Sequence, residues 1–309
     1  MINDPGELRD APIQAVIINC GTKWVTSLAL LSTLRNSDCQ VLIVDCESKD
    51  GSREHFQKLS ARYKLQFSWL AWPLRPHPAT LDRLFAGIAS GAVLLVDSDV
   101  EIKTRALFEA MHSALSSDRD AYGAGFLHGP QWLGADHGLL PYTGYYEERM
   151  WIPCVLLRTS AVKGALEARS SFMNRRPFFD VPSRPRLSRL LGYRYKIRGL
   201  RRLPLWIARG GDLNRPMYEG RLPTFVEYDT GADLHAALKR RGHSFAALPA
   251  QLSGDVHHYH GVTRANLTGG FRRVAKALPL ASRNTETEQR SILATVRERL
   301  RDVYGVAEI

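Results

Sequence analysis

Apolar and polar residues alternate along the first hundred residues in a pattern that predicts both strands and helices. Apolar runs predict buried strands at Ile13–Asn19, Val41–Val44, Gln66–Trp72 and Ala92–Asp97. Apolar residues at helical spacing predict helices between them. Their inward-facing sets are Leu28, Leu31 and Leu34 or Val25 and Ala29; Phe56, Leu59 and Tyr63 in a helix capped by Ser52; and Leu81, Leu84, Phe85 and Ile88. Such alternation is typical of a mostly parallel sheet with helices on both faces.

Two further elements are predicted in the rest of the chain. Trp151–Arg158 has the pattern of a strand, and Thr287–Val303 has that of a helix docked by one face. The apolar face of that helix consists of Ile292, Val296, Leu300 and Val303.

The strand that ends at Asp97 carries the first chemical signal. Asp97 and Asp99 follow it with one residue between them. The carboxyl ends of strands in an open α/β sheet border the crevice where ligands bind. Two acids there can hold a hard divalent cation together with substrate phosphates. Alternatively, the two aspartates only cap the helix that follows.

The basic excess of the chain is confined to one segment. Of 42 Lys and Arg and 31 Asp and Glu in the 309 residues, 15 basic and 4 acidic residues lie between Lys163 and Arg221. That segment therefore carries the whole net charge of +11, and the rest of the chain is balanced. Such a surface attracts anionic lipid or phosphorylated ligands. Because no nucleic-acid-binding signature accompanies it, nucleic acid is not an expected partner.

Several classes of protein are disfavoured by what the sequence lacks. No apolar run approaches the length of a bilayer span, and the acidic first dozen residues are unlike a secretion signal. The four cysteines form no Cys-x-x-Cys pair, which favours a reduced, cytoplasmic protein. No glycine-rich phosphate loop follows the first strand, which disfavours kinase and dinucleotide-binding functions.

Four segments, in order, resemble the family 2 glycosyltransferases with the GT-A fold. They are Val41–Ser52, which resembles the second-strand motif; Leu81–Asp99, which resembles the approach to the Asp-x-Asp motif; Tyr228–His243, which resembles the helix of the catalytic acid; and His257–Arg264, which resembles the terminal His motif. The resemblance covers roughly residues 13–115 and 220–264. Glu47 stands where the family often has Gly.

The resemblance implies a nucleotide-sugar donor and a divalent metal, Mn²⁺ or Mg²⁺. It assigns Asp99, His258 and His260 to the metal, and Asn19, Asp45, Arg83 and Asp97 to the nucleotide. Asp97 is then near the ribose and Asp45 near the base. A carboxylate that accepts a hydrogen bond from the imide N–H of uracil would favour a UDP-sugar. The three histidines alone would also suit a zinc site, but no further ligand stands at zinc spacing.

The catalytic base is less clear because the family's Glu-Asp pair is altered. Alignment on Asp233 places Thr230 and Gly231 where that pair is expected. A positioned carboxylate suits the role of general base. Asp229 is our first candidate, with Asp233 and Glu227 as alternatives; an Asp at a helix start is also an ordinary cap.

The resemblance therefore implies an inverting, metal-dependent GT-A glycosyltransferase that modifies a glycan or lipid-linked acceptor, as in cell-envelope polysaccharide synthesis. Residues 1–115 would bind the nucleotide-sugar and 116–264 the acceptor, with 163–221 as a basic insertion that contacts the inner membrane face and 265–309 as a helical tail. A sugar-phosphate nucleotidyltransferase and a non-catalytic polyanion- or membrane-binding protein on the same fold remain alternatives.

Overall fold

The computed structural model describes residues 2–8, 11–133, 144–173, 225–227, 229–259 and 283–306. Its strands are β1 (Ile13–Asn19), β2 (Gln40–Cys46), β3 (Ser68–Trp72), β4 (Ala92–Asp97), β5 (Val100–Ile102), β6 (Ala121–His128), β7 (Gln131–Leu133), β8 (Gly144–Tyr146), β9 (Arg149–Arg158), β10 (Phe225–Glu227), β11 (Ser244–Ala247) and β12 (Val256–His258). Its α-helices are α1 (Lys23–Asn36), α2 (Ser52–Tyr63), α3 (His77–Gly87), α4 (Arg105–Ser117), α5 (Thr159–Glu167), α6 (Ala232–Arg240) and α7 (Arg283–Tyr304). Short 3₁₀ turns cover Pro5–Glu7 and Ala250–Asp255.

A seven-stranded sheet forms the centre, in the order β11-β6-β9-β4-β1-β2-β3. Strand β9 runs antiparallel to β4 and β6, and the other pairs in this sheet are parallel. The predicted mostly parallel α/β sheet is therefore confirmed. Two small sheets flank it, β10-β8-β7 and the antiparallel pair β12-β5.

Helices cover both faces of the sheet, which is why its central strands are apolar throughout. Helices α1, α2, α4 and α7 contribute to the core on one face, and α3, α5 and α6 to the core on the other. Successive residues of a strand alternate between the two cores: Ile17 belongs to the first and Val16 to the second. Helix α1 is buried almost all round, so both apolar sets proposed for it face the core, with Leu34 only partly buried.

The structure corrects the predicted cap of α2. Gly51, at φ 77°, is the capping residue, and Ser52 is the first helical residue. Asp50 accepts hydrogen bonds from both the backbone N–H and the hydroxyl of Ser52, so Ser52 is a donor rather than a cap.

The last position of the predicted apolar face of α7 is also corrected. Val296 and Leu300 are buried, but Val303 is exposed. Gly305 adopts a left-handed φ of 67° after the helix, and Val306 N–H donates to the Leu300 carbonyl. This reversal turns Val306 into the core in place of Val303.

Three further predictions concern membrane-spanning helices, the cysteines and the basic segment. Among the described residues no helix combines the length and apolar character needed to cross a membrane. All four cysteines are free thiols, and Cys39, Cys46 and Cys154 are buried. Most of the basic segment 163–221, from residue 174 onward, lies outside the described residues, as do His260 and the first part of the 265–309 tail.

Candidate functional site

Three neighbouring strands end in polar side chains at the same edge of the sheet. Asn19 ends β1, Asp45 lies near the end of β2 and Asp97 ends β4. The parallel register pairs Asn19 with Asp45 and Ile18 with Asp97. The apolar runs of these strands are fixed by burial on both faces, and this places their polar ends side by side.

Asp97, Asp99 and His258 form a cluster with the donor set of a metal site. One ligand atom from each of the three lies within 4.8 Å of the others. The imidazole Nε2 of His258 lies 3.1 Å from Asp99 Oδ1. Helix α4 begins at Arg105 after the capping residue Thr104, so the two aspartates do not cap it.

The small β5–β12 pair delivers His258 to the aspartates. Strand β5 follows Asp99 directly, and His258 pairs with Val100 across the two strands. The Tyr259 N–H donates to the Asp99 carbonyl at 2.8 Å. The ring of Trp151 on β9 meets the His258 ring edge-on at 5.9 Å. The histidine is thus held from its backbone and from one face of its ring.

The charged groups of the cluster shift one another's pKa values. Burial raises the pKa of Asp97; nearby His77 opposes the shift and Asp99 adds to it. Burial alone would lower the pKa of His258, but the hydrogen bond and charge of Asp99 outweigh it and raise that pKa. Two carboxylates and an imidazole are a donor set that suits Mn²⁺ or Mg²⁺, whereas a thiol-rich ligand set would indicate zinc. The residues present therefore fit the metal implied by the sequence.

Asn19 and Asp45 form a fully connected polar pair next to this cluster. Asn19 Nδ2 donates to Asp45 Oδ1 at 2.7 Å and to the Ser48 hydroxyl at 3.0 Å. Asn19 Oδ1 accepts from the hydroxyls of Thr22 and Thr26 at 3.1 and 2.9 Å. Asn19 is fully buried, whereas Asp45 keeps 7 % of its surface exposed. Asp45 is thereby held in one orientation at the crevice.

The loop after β2 has a backbone geometry that suits a glycine, although a glutamate occupies the position. Glu47, which stands where the family often has Gly, has a φ of 51°. This left-handed conformation costs a non-glycine residue about 1 kcal/mol or more. The loop therefore keeps the shape that a glycine would permit, although the residue differs.

Two residues on α3 complete the described edge. The Arg83 guanidinium stacks over the Trp72 ring at 4.2 Å, where β3 ends. His77, at the start of α3, places Nε2 3.5 Å from Asp97 Oδ1. Sequence reasoning assigned Arg83 to the nucleotide but missed His77. His77 follows the third strand closely, at the same edge of the sheet, and this position could have identified it as a site residue.

The base candidates lie at the entrance to α6. Asp229 is partly exposed, and its Oδ2 lies 3.6 Å from Arg149 Nε on β9. The capping residue of α6 is Gly231, so Asp229 does not cap the helix. Asp233 lies in the first turn of α6. The backbone of Glu227 lies in β10.

A network of polar side chains beneath α6, centred on the buried His235, was also missed. His235 is 2 % exposed and lies between the Tyr122 hydroxyl and Glu148, whose Oε1 is 3.0 Å from His235 Nε2. Lys239 donates to the same carboxylate oxygen. Burial lowers the pKa of His235, and the hydrogen bonds from Lys239 and His235 lower that of Glu148. The network fixes α6, and hence the residues before it, against β6 and β9.

Comparison with known proteins gives partial structural similarity. No family model matches the chain, and no curated protein matches it. Among solved structures, Staphylococcus aureus TarS (residues 1–349) is 19% identical with a TM-score of 0.35 over 50% of this chain and 49% of its own. Glucosyl-3-phosphoglycerate synthase from Mycobacterium tuberculosis, in complex with phosphoglyceric acid, is 12% identical with a TM-score of 0.35 over 52% and 60%. A 4-diphosphocytidyl-2C-methyl-D-erythritol synthase from Anaerococcus prevotii is 13% identical with a TM-score of 0.37 over 51% and 74%.

Each of these matches covers about half of this chain. The chain spans about half the length of the TarS structure. Similarity at this level assigns no activity, substrate or residue role to the chain.

Proposed function

We propose that this protein is a metal-dependent glycosyltransferase that moves a sugar from a nucleoside diphosphate to an acceptor hydroxyl. The observation that carries the proposal is the Asp97–Asp99–His258 cluster, which lies beside the Asn19–Asp45 pair at one edge of the sheet. A nucleoside diphosphate sugar requires a cation site because its diphosphate is charged. It also requires polar groups beside that site to bind the nucleoside.

Asp99 and His258 would hold the metal, with Asp97 toward the ribose and the metal. A bound Mn²⁺ or Mg²⁺ would neutralise the charge that develops on the diphosphate as the sugar leaves. The short contact between His258 and Asp99 keeps both donors oriented toward one point. His77, close to Asp97, is placed to contact the same end of the donor.

Asp45 would recognise the base of the nucleotide. Asn19 and the Ser48 backbone N–H hold its two oxygens, so the carboxylate cannot rotate away from the crevice. A carboxylate is an acceptor only and would pair with the imide N–H of uracil. We therefore infer a UDP-sugar as the donor. Arg83, stacked on Trp72 at the end of the neighbouring strand β3, would contact the nucleotide.

Asp229 is our proposed general base. Arg149, its partner, and Trp151, which contacts His258, lie two residues apart on β9 and so on the same face of that strand. Two residues of a strand span about 7 Å, which supports a common crevice for Asp229 and the metal cluster. Asp229 would take the acceptor proton while the oxygen attacks the anomeric carbon and the bond to the diphosphate breaks. This direct displacement inverts the anomeric centre.

The acceptor is proposed to be an anionic or lipid-linked glycan held by the basic segment 163–221. Reversing the charge of Arg184, Arg186, Arg198 and Arg201 should lower acceptor turnover and liposome binding. Unchanged turnover and binding would remove that segment from the proposal and leave the donor site untouched.

Thermal shift with nucleoside diphosphates, with and without Mn²⁺, tests the donor site. A ligand that binds the native state raises the melting temperature. We expect stabilisation by UDP that needs Mn²⁺ and is lost in Asp99→Asn, while Asp302→Asn, on the exposed face of α7, behaves as the unaltered chain. Stabilisation by no diphosphate would contradict the proposal.

Product analysis separates the chemistry from its nearest alternative. Incubation with a UDP-sugar and acceptor should release UDP, and Asp229→Asn should abolish release while Asp233→Asn retains it. Consumption of a sugar phosphate and UTP with release of pyrophosphate would instead identify a nucleotidyltransferase.

A further inference from the structure

A buried carboxylate lies two residues beyond the proposed metal ligand Asp99. Glu101, on β5, has no solvent exposure. It accepts hydrogen bonds from Tyr259 Oη at 2.9 Å, from Tyr304 Oη at 3.1 Å and from Arg299 Nε at 3.2 Å, and a second, shorter bond from Arg299 Nη2. A buried charge with this many donors is fully compensated. Glu101 has no part in the metal and nucleotide binding proposed for the other acids at this edge of the sheet.

The donors to Glu101 come from two distant parts of the chain. Tyr259 directly follows the metal-ligand candidate His258, whereas Arg299 and Tyr304 belong to α7. Glu101 therefore joins the strand that follows Asp99, the segment that carries His258, and the C-terminal helix at a single carboxylate.

We propose that Glu101 and Tyr259 are positioning residues of the metal site, and that docked α7 holds them in place through Arg299. The inference rests on the proposed metal site of the glycosyltransferase. It adds that His258 is aligned from behind by a bond network that ends in the C-terminal helix.

The local geometry explains why His258 needs such support. Strand β12 has only three residues and pairs with the equally short β5. The Lys103 N–H bonds to the Asp255 carbonyl on one side of His258, and the Tyr259 N–H bonds to the Asp99 carbonyl on the other. The hydrogen bond from the Tyr259 hydroxyl to Glu101 adds a side-chain anchor. The Tyr259 side chain is buried, with 7 % of its surface exposed.

Helix α7 is well placed to maintain the network. Val296 and Leu300 bury its apolar face, and the Arg297 guanidinium lies 4.7 Å from the Trp24 ring centroid on α1. Arg35 on α1 donates to the Val303 carbonyl near the end of α7. With α7 docked in this way, Arg299 supplies the positive charge that Glu101 requires.

Mn²⁺ binding, followed by loss of the free-ion signal in electron paramagnetic resonance, tests the inference without donor or acceptor. Tyr259→Phe removes one hydroxyl and keeps the ring, and it should weaken Mn²⁺ binding roughly tenfold, as the loss of a partner behind a metal ligand does. Tyr304→Phe is the matched control, because it removes an equivalent bond to the same carboxylate without adjoining His258. It should change Mn²⁺ affinity less than twofold.

A second comparison identifies the route of the effect. In a His258→Ala background, Tyr259→Phe should no longer alter the residual Mn²⁺ affinity, since its effect passes through the imidazole. Arg299→Gln should weaken binding as Tyr259→Phe does, and Arg299→Lys should restore most of it. A purely structural role would lower the metal-free melting temperature without this dependence on His258.

The outcomes separate this inference from the proposed function. If the unaltered protein binds Mn²⁺ and Tyr259→Phe binds it equally well, the positioning role is wrong and the metal site stands. If the unaltered protein binds no Mn²⁺, both the metal site and the inference built on it are overturned.

Discussion

Replacing Asn19 by Asp tests the polar pair that forms the proposed nucleotide end of the site. The change keeps the shape of the side chain but turns the Nδ2 donor, which lies 2.7 Å from Asp45 Oδ1, into a second carboxylate oxygen. The acceptor role of Asn19 toward Thr22 and Thr26 is preserved. The perturbation is therefore confined to the contact with Asp45 and Ser48.

The expected cost follows from the burial of both partners. Loss of a hydrogen bond to a charged acceptor costs about 1.5–3 kcal/mol. Two carboxylates at this distance cannot both be ionised without repulsion, so one keeps its proton or the pair moves apart. At pH 4.5 the retained proton costs less than about 1 kcal/mol, because that pH lies close to the ordinary range of an Asp. At pH 7.5 the total loss should reach about 3–5 kcal/mol, close to that of a broken buried pair.

The sign of the pH dependence is fixed by the proton. The folded variant binds a proton that the unfolded chain has released by neutral pH, so the stability of the variant falls as pH rises relative to that of the unaltered chain. Thermal melting at pH 4.5 and 7.5 measures this difference. At about 2–3 °C per kcal/mol, the melting temperature should drop by about 10 °C at pH 7.5 and by only a few degrees at pH 4.5.

An exchanged pair provides the control. Asn19→Asp combined with Asp45→Asn restores one donor and one acceptor with their positions reversed. Stability at pH 7.5 should return to within about 1 kcal/mol, while Mn²⁺-dependent stabilisation by UDP should recover only in part, because the amide that replaces the Asp45 carboxylate still accepts a hydrogen bond but carries no charge. Equal melting temperatures for Asn19→Asp and the unaltered chain at pH 7.5 would refute the argument.

Three further predictions concern other parts of the fold. Burial and the charge of Lys23 lower the pKa of His55 to about 4, so the unfolded chain takes up a proton first on acidification. The free energy of unfolding should therefore fall by about 3 kcal/mol between pH 6.5 and 4. His55→Gln should flatten this part of a denaturant-unfolding pH profile, and an unchanged slope would be the contrary result. Gly231 has a φ of 81°, and an added Cβ would lie 2.8 Å from Ile152 Cδ1; Gly231→Ala should cost about 1–3 kcal/mol in urea unfolding, and a neutral effect would contradict this packing. Glu47→Gly should stabilise the chain by about 0.5–1 kcal/mol because it relieves the φ of 51°, and a lower melting temperature would show that the Glu47 side chain matters more than its backbone.

The strands and their polar ends could be predicted because burial dominates their sequence. β1 was predicted with its observed ends, and β4 likewise, since their residues are buried on both faces of the sheet. Once those strands are aligned, the positions of Asn19, Asp45 and Asp97 at a common edge follow from the parallel register.

The parts that could not be predicted depend on contacts between distant segments. The three-residue strands β5 and β12 have too few residues for a periodic signal, and each is defined only by the other. The contact of His77 with Asp97 needs the position of α3 over the sheet edge. Gly51 replaces Ser52 as the cap of α2 because a left-handed φ at Gly51 lets Asp50 reach the first turn.

The sequence separation within the proposed metal cluster has a consequence for how the protein would come to bind metal. Asp99 and His258 are 159 residues apart, and their contact requires the late strand β12 to pair with the early strand β5. Contacts of such long range form slowly, because the chain entropy is lost before the contact repays it. A ribosome-bound chain that ends before β12 has both aspartates and lacks the imidazole. Mn²⁺ affinity during refolding should therefore rise in step with the closure of the last strand pair, later than the helical circular dichroism signal.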